Sequence, residues 1–158
     1  MAADPIARDV PGVIARPPLL FLAHLVLGLA FDWLCPAPFL PSAIQYAAGA
    51  ALIAVAGTLA GSAIACFVRA GTNVPTTRPA TALVLRGPYR FSRNPIYIGM
   101  LLLLLGIGVM VDSAWIVALL VPFALVLRYG VIAREERYLE AKFGDSYRAF
   151  RVRVRRWI

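Results

Sequence analysis

Hydrophobic positions in this chain come in long unbroken runs, not in one-sided stripes. The first, Leu19 to Leu34, meets no charge before Asp32. Ser42 to Val68, Ile96 to Val111 and Ala114 to Leu127 hold no charged residue at all. Runs of this kind are apolar all round, as helices are when lipid surrounds them. They predict an all-α integral membrane protein with about four transmembrane helices. The first run is short for a hydrocarbon layer of about 30 Å, so the proline-rich stretch Cys35 to Leu40 either finishes the crossing or lies in the interface. Asp112-Ser113 reverses the chain between the third and fourth runs. The resulting helical hairpin brings Asn94 and Glu135, far apart in sequence, to the same membrane face.

The polar stretches sit at the ends of these runs. Arg69 to Asn94 carries Arg69, Arg78, Arg86, Arg90 and Arg93 and no acidic residue. Its Leu83-Val84-Leu85, Tyr89 and Phe91 give it material to pack, so an ordered lid or wall is expected instead of a loose linker. Pro95 suits the first position of the third helix, and Asn94 is placed to cap its free N–H groups. From Tyr129 the fourth helix leaves the membrane and continues. There Ile132, Leu139 and Phe143 share one face, Glu135 and Glu136 flank it, and Arg134, Arg137 and Ala141 point away. Gly144 stops this helix. Tyr147, Phe150, Val154 and Trp157 then recur at helical spacing, although Phe150 to Trp157 would also suit an extended strand, opposite Arg148, Arg151, Arg153, Arg155 and Arg156, a tail expected to lie on an anionic membrane surface. In the second run Gly57 and Gly61, with Gly49, Ile53 and Ala65 on the same row, form a small-residue stripe. It suits close helix contact, including contact between copies in a homo-oligomer.

Composition agrees with this reading. The chain is 61% hydrophobic with a mean hydropathy of +0.77, an apolar excess that a soluble domain of 158 residues cannot hide. The net charge of +8 comes from arginine blocks beside the apolar runs and points to topology, with no nucleic acid implied. The N-terminal arm, the Arg69 connection and the tail are positive, and the turns at Pro36 to Pro41 and at Asp112-Ser113 are not. Both termini are therefore expected on the cytoplasmic side. Cys35 and Cys66 fall near opposite ends of one span and imply no disulfide. The single histidine, His24, lies in an apolar run, so no His-rich metal site is predicted. The arm, residues 1–18, has charges of alternating sign and does not read as a cleavable signal peptide. Residues 19–68 form two N-terminal transmembrane helices, and residues 69–158 hold the chemistry.

The candidate site gathers a helix N-terminus at Asn94-Pro95, the arginines beside it, Tyr89, Tyr97 and Tyr147, and the carboxylates of Glu135 and Glu136. Arginine and a helix N-terminus suit an anionic group. Aromatic rings and carboxylates suit a cation or a ribose. No Gly-rich phosphate loop and no Ser/His/Asp, Cys/His or two-His arrangement is present, so hydrolysis and metal catalysis find no support. The residues alone stop at a polar ligand site on the cytoplasmic face of a small membrane protein.

Two blocks carry a resemblance. Gly87-Pro88-Tyr89-Arg90 followed by Ser92-Arg93-Asn94-Pro95-Ile96-Tyr97-Ile98-Gly99, and Glu135-Glu136-Arg137-Tyr138-Leu139 through Phe143-Gly144-Asp145 to Tyr147, resemble the isoprenylcysteine carboxyl methyltransferase family, which includes membrane phospholipid methyltransferases. The blocks are in order around a hairpin and, with Gly71 to Pro75, cover about Arg69 to Trp157. The resemblance implies a membrane methyltransferase that uses S-adenosylmethionine. Its bacterial relatives imply a bacterial inner membrane. Carried over by position, Tyr89, Arg93, Asn94, Pro95, Tyr97, Gly99, Glu135, Glu136, Leu139, Phe143 and Tyr147 would bind the cofactor, with Arg93, Tyr97 and Glu135 closest to the chemistry. The family histidine is Asn94 here, which cannot take a proton, and Phe150 stands where a tyrosine is common. The acceptor implied is lipophilic or small: a carboxylate, amine, thiol or phenol reached from the cytoplasmic face, with membrane lipid alongside. The alternatives are a nicotinamide-dependent enzyme of the sterol-reductase type and a non-catalytic membrane subunit.

Overall fold

The computed structural model describes residues 9–158; the first eight residues of the arm lie outside them. The described residues are helical, without a strand. Helix α1 is Pro17–Leu34, α2 is Ser42–Arg69 and α3 is Pro95–Met110. The last long helix is jointed: α4 (Ala114–Ala118), α5 (Leu120–Val126), a π-helical turn (Leu127–Ile132) and α6 (Ala133–Phe143). A short α7, Asp145–Arg153, follows. The joint between α4 and α5 falls where Pro122 has no N–H to offer the Ala118 carbonyl. Three stretches are long and apolar enough to cross a membrane, Pro17–Leu34, Ser42–Arg69 and Ala114–Phe143, and α3 is a shorter apolar helix. Only 11% of the apolar window is buried in each of the first two, so their outer faces meet lipid. Leu22, Val26, Val55 and Ile64 are among the exposed apolar side chains there, as are Val121 and Leu125 on α5. The chain is an all-α integral membrane protein.

The hairpin turn is built as the sequence suggests. Ser113 accepts a hydrogen bond from the Ile116 N–H at the start of α4. Asp112 adopts a φ of 55° and its Oδ1 accepts from the N–H groups of Phe39 and Leu40, both at 2.8 Å. One carboxylate thus ties the two turns on this side of the protein together.

Helices α2 and α3 form the most extensive contact, and their seam coincides only in part with the row read from the sequence. Gly57 and Gly61 face outward, with nothing within 4 Å of an added Cβ. The seam uses Gly49, against Met110, and Ala56 and Ala60, against Gly99, while Gly106 lies against Ile53. Gly49, Ala56, Ala60 and Ala63 repeat at helical spacing, and Ala56 and Ala63 are buried. The seam keeps Gly49 and Ile53 of that row but runs on through Ala56, Ala60 and Ala63, because alanine serves close approach as well as glycine does.

The antiparallel seam also fixes the height of the site. At about 1.5 Å per residue, the 28 residues of α2 run about 42 Å and the 16 of α3 about 24 Å. With Gly99 level with Ala60, α2 continues past the start of α3 and its last turns stand as a wall. Gly87 sits against this wall: its φ is +61°, and a Cβ there would lie 2.7 Å from Cys66 Sγ.

A second, shorter seam docks the N-terminal arm. The Ile14 N–H donates to the Gly130 carbonyl in the π-helical turn at 3.2 Å. A Cβ on Gly130 would collide with the Ile14 side chain. A π-turn disturbs the regular i→i−4 ladder, and the arm supplies a donor at that point.

Candidate functional site

The α3 N-terminus, α6, α7 and the connection from Ala70 enclose a cleft that is open to solvent, with a cavity volume of about 120 Å3. The connection is an ordered wall, as expected. Thr72 is buried, and its Oγ1 accepts from the N–H groups of Thr81 and Ala82 at 2.9 and 3.2 Å. Asn73 Nδ2 donates to the Pro79 carbonyl at 2.9 Å, closing the tip of the loop. Val74, Pro75, Arg78, Leu83 and Val84 face the cleft from this side, and Phe67 faces it from α2.

The cleft has two polar ends. At the first, the Tyr97 hydroxyl donates to Glu135 Oε1 at 2.7 Å, joining α3 to α6. Tyr97 is buried and both residues line the cleft. Tyr89, also buried, lines it from the 3-10 turn Gly87–Arg90. Burial first, and then the charge of Glu135, pushes its phenol well above the ordinary value, so it stays protonated.

At the second end Glu136 lies between two arginines. Arg156 takes it bidentately, Nε to Oε1 at 3.0 Å and Nη2 to Oε2 at 2.6 Å. Arg93 Nη1 lies 3.2 Å from Oε1, close enough to pair in charge but without hydrogen-bond alignment. Arg93 and Glu136 side chains are each only 10% exposed. Arg93 Nε and Nη1 and the Tyr147 hydroxyl are buried and have no hydrogen-bond partner. Burial, followed by the negative charge of Glu136, raises the Tyr147 phenol to about 12. Two guanidinium groups against one carboxylate leave a net positive charge, with buried donors free beside it.

The predicted site residues separate into two groups. Tyr89, Arg93, Asn94, Tyr97, Glu135, Glu136, Leu139 and Tyr147 all line the cleft. Pro95, Gly99 and Phe143 do not. Pro95 is buried in the first turn of α3. Gly99 faces α2, where a Cβ would sit 2.9 Å from Ala60 Cβ and 3.2 Å from the Ala56 carbonyl, so its small size serves helix contact. Phe143 packs with Leu139 on the apolar cluster around Tyr147 and Phe150. Asn94 departs from expectation in another way. Its side chain makes no cap on α3; Nδ2 donates to the Arg156 carbonyl at 2.9 Å.

The tail divides between the two courses open to it in the sequence. Helix α7 ends at Arg153, and Val154 is extended (φ −123°, ψ 130°). The tail then crosses Ser92–Asn94: the Arg93 N–H donates to the Arg155 carbonyl at 3.0 Å, and Ser92 Oγ to the Arg156 carbonyl at 3.2 Å. Trp157 packs on the cluster that holds Tyr97, Leu127 and Val131. Arg148 and Arg151 pair with Glu140. Arg153 and Arg155 stay exposed, while Arg156 turns inward. Two groups at the cleft escape the sequence reading. Arg156 is one of five arginines in a run and carries no local signal. Tyr138 had one: it follows Glu135 by three positions and so shares its face. Its hydroxyl accepts from the Ala80 N–H at 3.0 Å and donates to Asp9 Oδ1 at 2.9 Å, holding the connection and the arm to α6. Lys142, first, and Tyr138 hold the Asp9 carboxyl below its ordinary range.

With this geometry in place, comparison with known proteins is informative. The chain is similar to an uncharacterized protein of Haemophilus influenzae, 43% identical over 65 residues, which are 40% of this chain and all of that one. It is also similar to the cobalt-zinc-cadmium resistance protein CzcN of Cupriavidus metallidurans, 40% identical over 69 residues, 43% of this chain but only 32% of CzcN. No solved structure matches. Residues 44–146 match the phospholipid methyltransferase family, a span that starts near the beginning of α2 and runs through the cleft to α7. It covers well over half of the sequence: the chain belongs to the phospholipid methyltransferase family.

Proposed function

We propose that the protein transfers a methyl group from S-adenosylmethionine to a lipophilic or small acceptor (a carboxylate, amine, thiol or phenol) at the cytoplasmic face of a bacterial inner membrane, with both termini on that side. The observation that carries this reading is the pair of buried, unpartnered donors on Arg93 beside the free Tyr147 hydroxyl, in a cleft whose other end is the Tyr97–Glu135 pair. The residues fit such a donor molecule at both of its charged parts. Arg93 and Tyr147 suit its carboxylate. Tyr89, Tyr97 and Glu135 suit its positive sulfur centre. When bound, S-adenosylmethionine supplies an activated methyl group on a sulfonium.

The chain's own contribution is then alignment, which can account for most of the acceleration of a direct displacement. The ring of Tyr97 and the carboxylate of Glu135 fix one end of the ligand, and Arg93 fixes the other. Phe67, Leu83, Val84 and Ile96 give the cleft an apolar flank that suits a lipophilic acceptor. Where the acceptor carries a proton to be lost, Glu135 is the carboxylate within the cleft able to receive it. Asn94, in the position of the family histidine, takes no part in proton transfer and is engaged with the tail.

Calorimetric titration of the detergent-purified protein with S-adenosylmethionine and S-adenosylhomocysteine, with NADPH as control, tests the proposal. Binding of the first two alone is expected. Binding of NADPH alone would move the protein to a reductase, and binding of none, in folded protein, would leave it a non-catalytic subunit.

A further inference from the structure

We infer that Arg156, in the tail beyond α7, is a positioning residue: by holding Glu136 it keeps Arg93 free to bind the anionic part of the ligand. The inference rests on the proposed methyl-donor reading and assigns the residue that makes the anion end of that site work.

Glu136 is buried, and a buried carboxylate demands partners. Two arginines are within reach, and they share it unequally. Arg156 gives it two aligned hydrogen bonds, at 3.0 and 2.6 Å, one to each oxygen. Such a fork is the strongest geometry open to the pair. The hydrogen bonds to Glu136 raise the affinity of the Arg156 guanidinium for its proton still further. Arg93 is left with proximity alone, and its Nε and Nη1 remain unpartnered. With Arg156 removed, the Glu136 oxygens would turn to Arg93, the remaining guanidinium at 3.2 Å. The donors would then be spent inside the protein, and the local charge would fall from positive to neutral.

The backbone fixes Arg156 in this place. Its carbonyl accepts from Asn94 Nδ2 and Ser92 Oγ, and the preceding carbonyl, of Arg155, accepts from the Arg93 N–H. Trp157, the next residue, is anchored on the core cluster. Tail and α3 start are thus joined around Arg93, which also gives Asn94 a role: it holds the strand of tail that carries Arg156.

The test uses full-length protein in detergent and two ligands that differ in the amino-acid end. S-adenosylhomocysteine carries the carboxylate; 5′-methylthioadenosine lacks it. Arg156→Gln is expected to weaken S-adenosylhomocysteine by roughly tenfold or more and to leave 5′-methylthioadenosine unchanged, which also certifies the fold. Arg156→Lys, which keeps the charge but not the fork, should fall between. The double variant Arg156→Gln with Glu136→Gln should regain affinity, because no carboxylate then competes for Arg93. Equal loss for both ligands, no loss for either, or failure of the double variant to recover each overturns the inference and leaves the methyl-donor reading standing. A wild type that binds neither ligand overturns both.

Discussion

Replacing Tyr97 by phenylalanine removes one atom from the cleft and tests how its two sides are joined. The lost hydroxyl donates to Glu135 Oε1 at 2.7 Å, in the short range of hydrogen bonds to carboxylates. The ring stays packed in the cluster of Leu104, Phe123 and Leu127, so no cavity opens. A hydrogen bond to a charged group contributes about 1.5–3 kcal/mol in a soluble protein. Hydrogen bonds between membrane helices average nearer 0.6 kcal/mol, because a chain unfolded in lipid finds other partners. This pair combines a carboxylate acceptor with a place at the end of the apolar run, and a coupling of about 1–2 kcal/mol follows from weighing the two ranges. The assay is a double-mutant cycle of wild type, Tyr97→Phe, Glu135→Leu and the double variant. Each is unfolded in mixed micelles by a denaturing detergent. Leucine keeps most of the side-chain volume while removing the carboxylate, which limits the packing contribution to the difference. If the two single effects add within about 0.5 kcal/mol, the hydrogen bond does not join the helices and the two-ended cleft is wrongly drawn.

Substitutions at four further positions have defined outcomes. Gly49→Ala would place a Cβ 2.8 Å from the backbone N and Cα of Met110, which no rotamer change relieves, and should cost about 1–3 kcal/mol in the same unfolding assay. Gly57→Ala, with open space around it, should be neutral or stabilising by up to about 1 kcal/mol, and the opposite order would restore the Gly57–Gly61 row as the seam. Asp112→Ala loses the acceptor of two backbone N–H groups and should destabilise by about 1–3 kcal/mol, whereas Asp112→Asn, which keeps an acceptor oxygen, should lose less. Tyr147 ionises near pH 12 when folded and near 10 when unfolded, so the unfolded chain binds fewer protons between those values and its stability must fall as pH rises through that window. Spectrophotometric titration of wild type against Tyr147→Phe should show a phenol missing from a phase well above 10 but below that of Tyr89, which burial pushes higher still; its disappearance from a phase near 10 would mean that Tyr147 is not buried.

What the sequence discloses here follows from the range of each signal. A run of apolar residues between charges marks a span with little help from its neighbours, so α1, α2, α3 and the hairpin turn at Asp112-Ser113 are legible to within a residue or two. The carboxylates flanking the apolar stripe of α6 are legible because helical periodicity is local. Which small residues face α3 is not, since Gly57 and Ala56 differ by one position and only the partner helix decides between them. Arg156 is harder still. In sequence it is one charge in a basic tail, and its role depends on Val154 leaving the helix and on Ser92 and Asn94 catching the carbonyl beside it. Asn94 misled for the same reason: its side chain could bond the N–H groups of its own helix or a distant backbone carbonyl, and local chemistry does not choose.

The position of the cleft follows from a mismatch in helix length. Because α3 is short and α2 long, the start of α3 lies below the rim formed by Phe67 and the last turns of α2. Backbone and charges at that depth cannot be left to lipid. Three polar segments close over them: the connection through Thr72 and Asn73, the arm through Asp9 and Gly12, and the tail through Arg155 and Arg156. The first two are held to α6, where Tyr138 takes Ala80 and Asp9 and Arg134 Nη1 donates to the Gly12 carbonyl at 2.8 Å. The tail is held to α3. The Tyr97–Glu135 bond is the direct polar tie between those two helices within the cleft, so a ligand bound between its ends spans the same gap and should resist their separation. The rise in unfolding midpoint at a fixed excess of S-adenosylmethionine reports the affinity of the native protein for it, so Glu135→Leu, which removes the carboxylate at one end of the cleft, should show a smaller rise than wild type. An equal rise in both would show that the ligand does not reach Glu135.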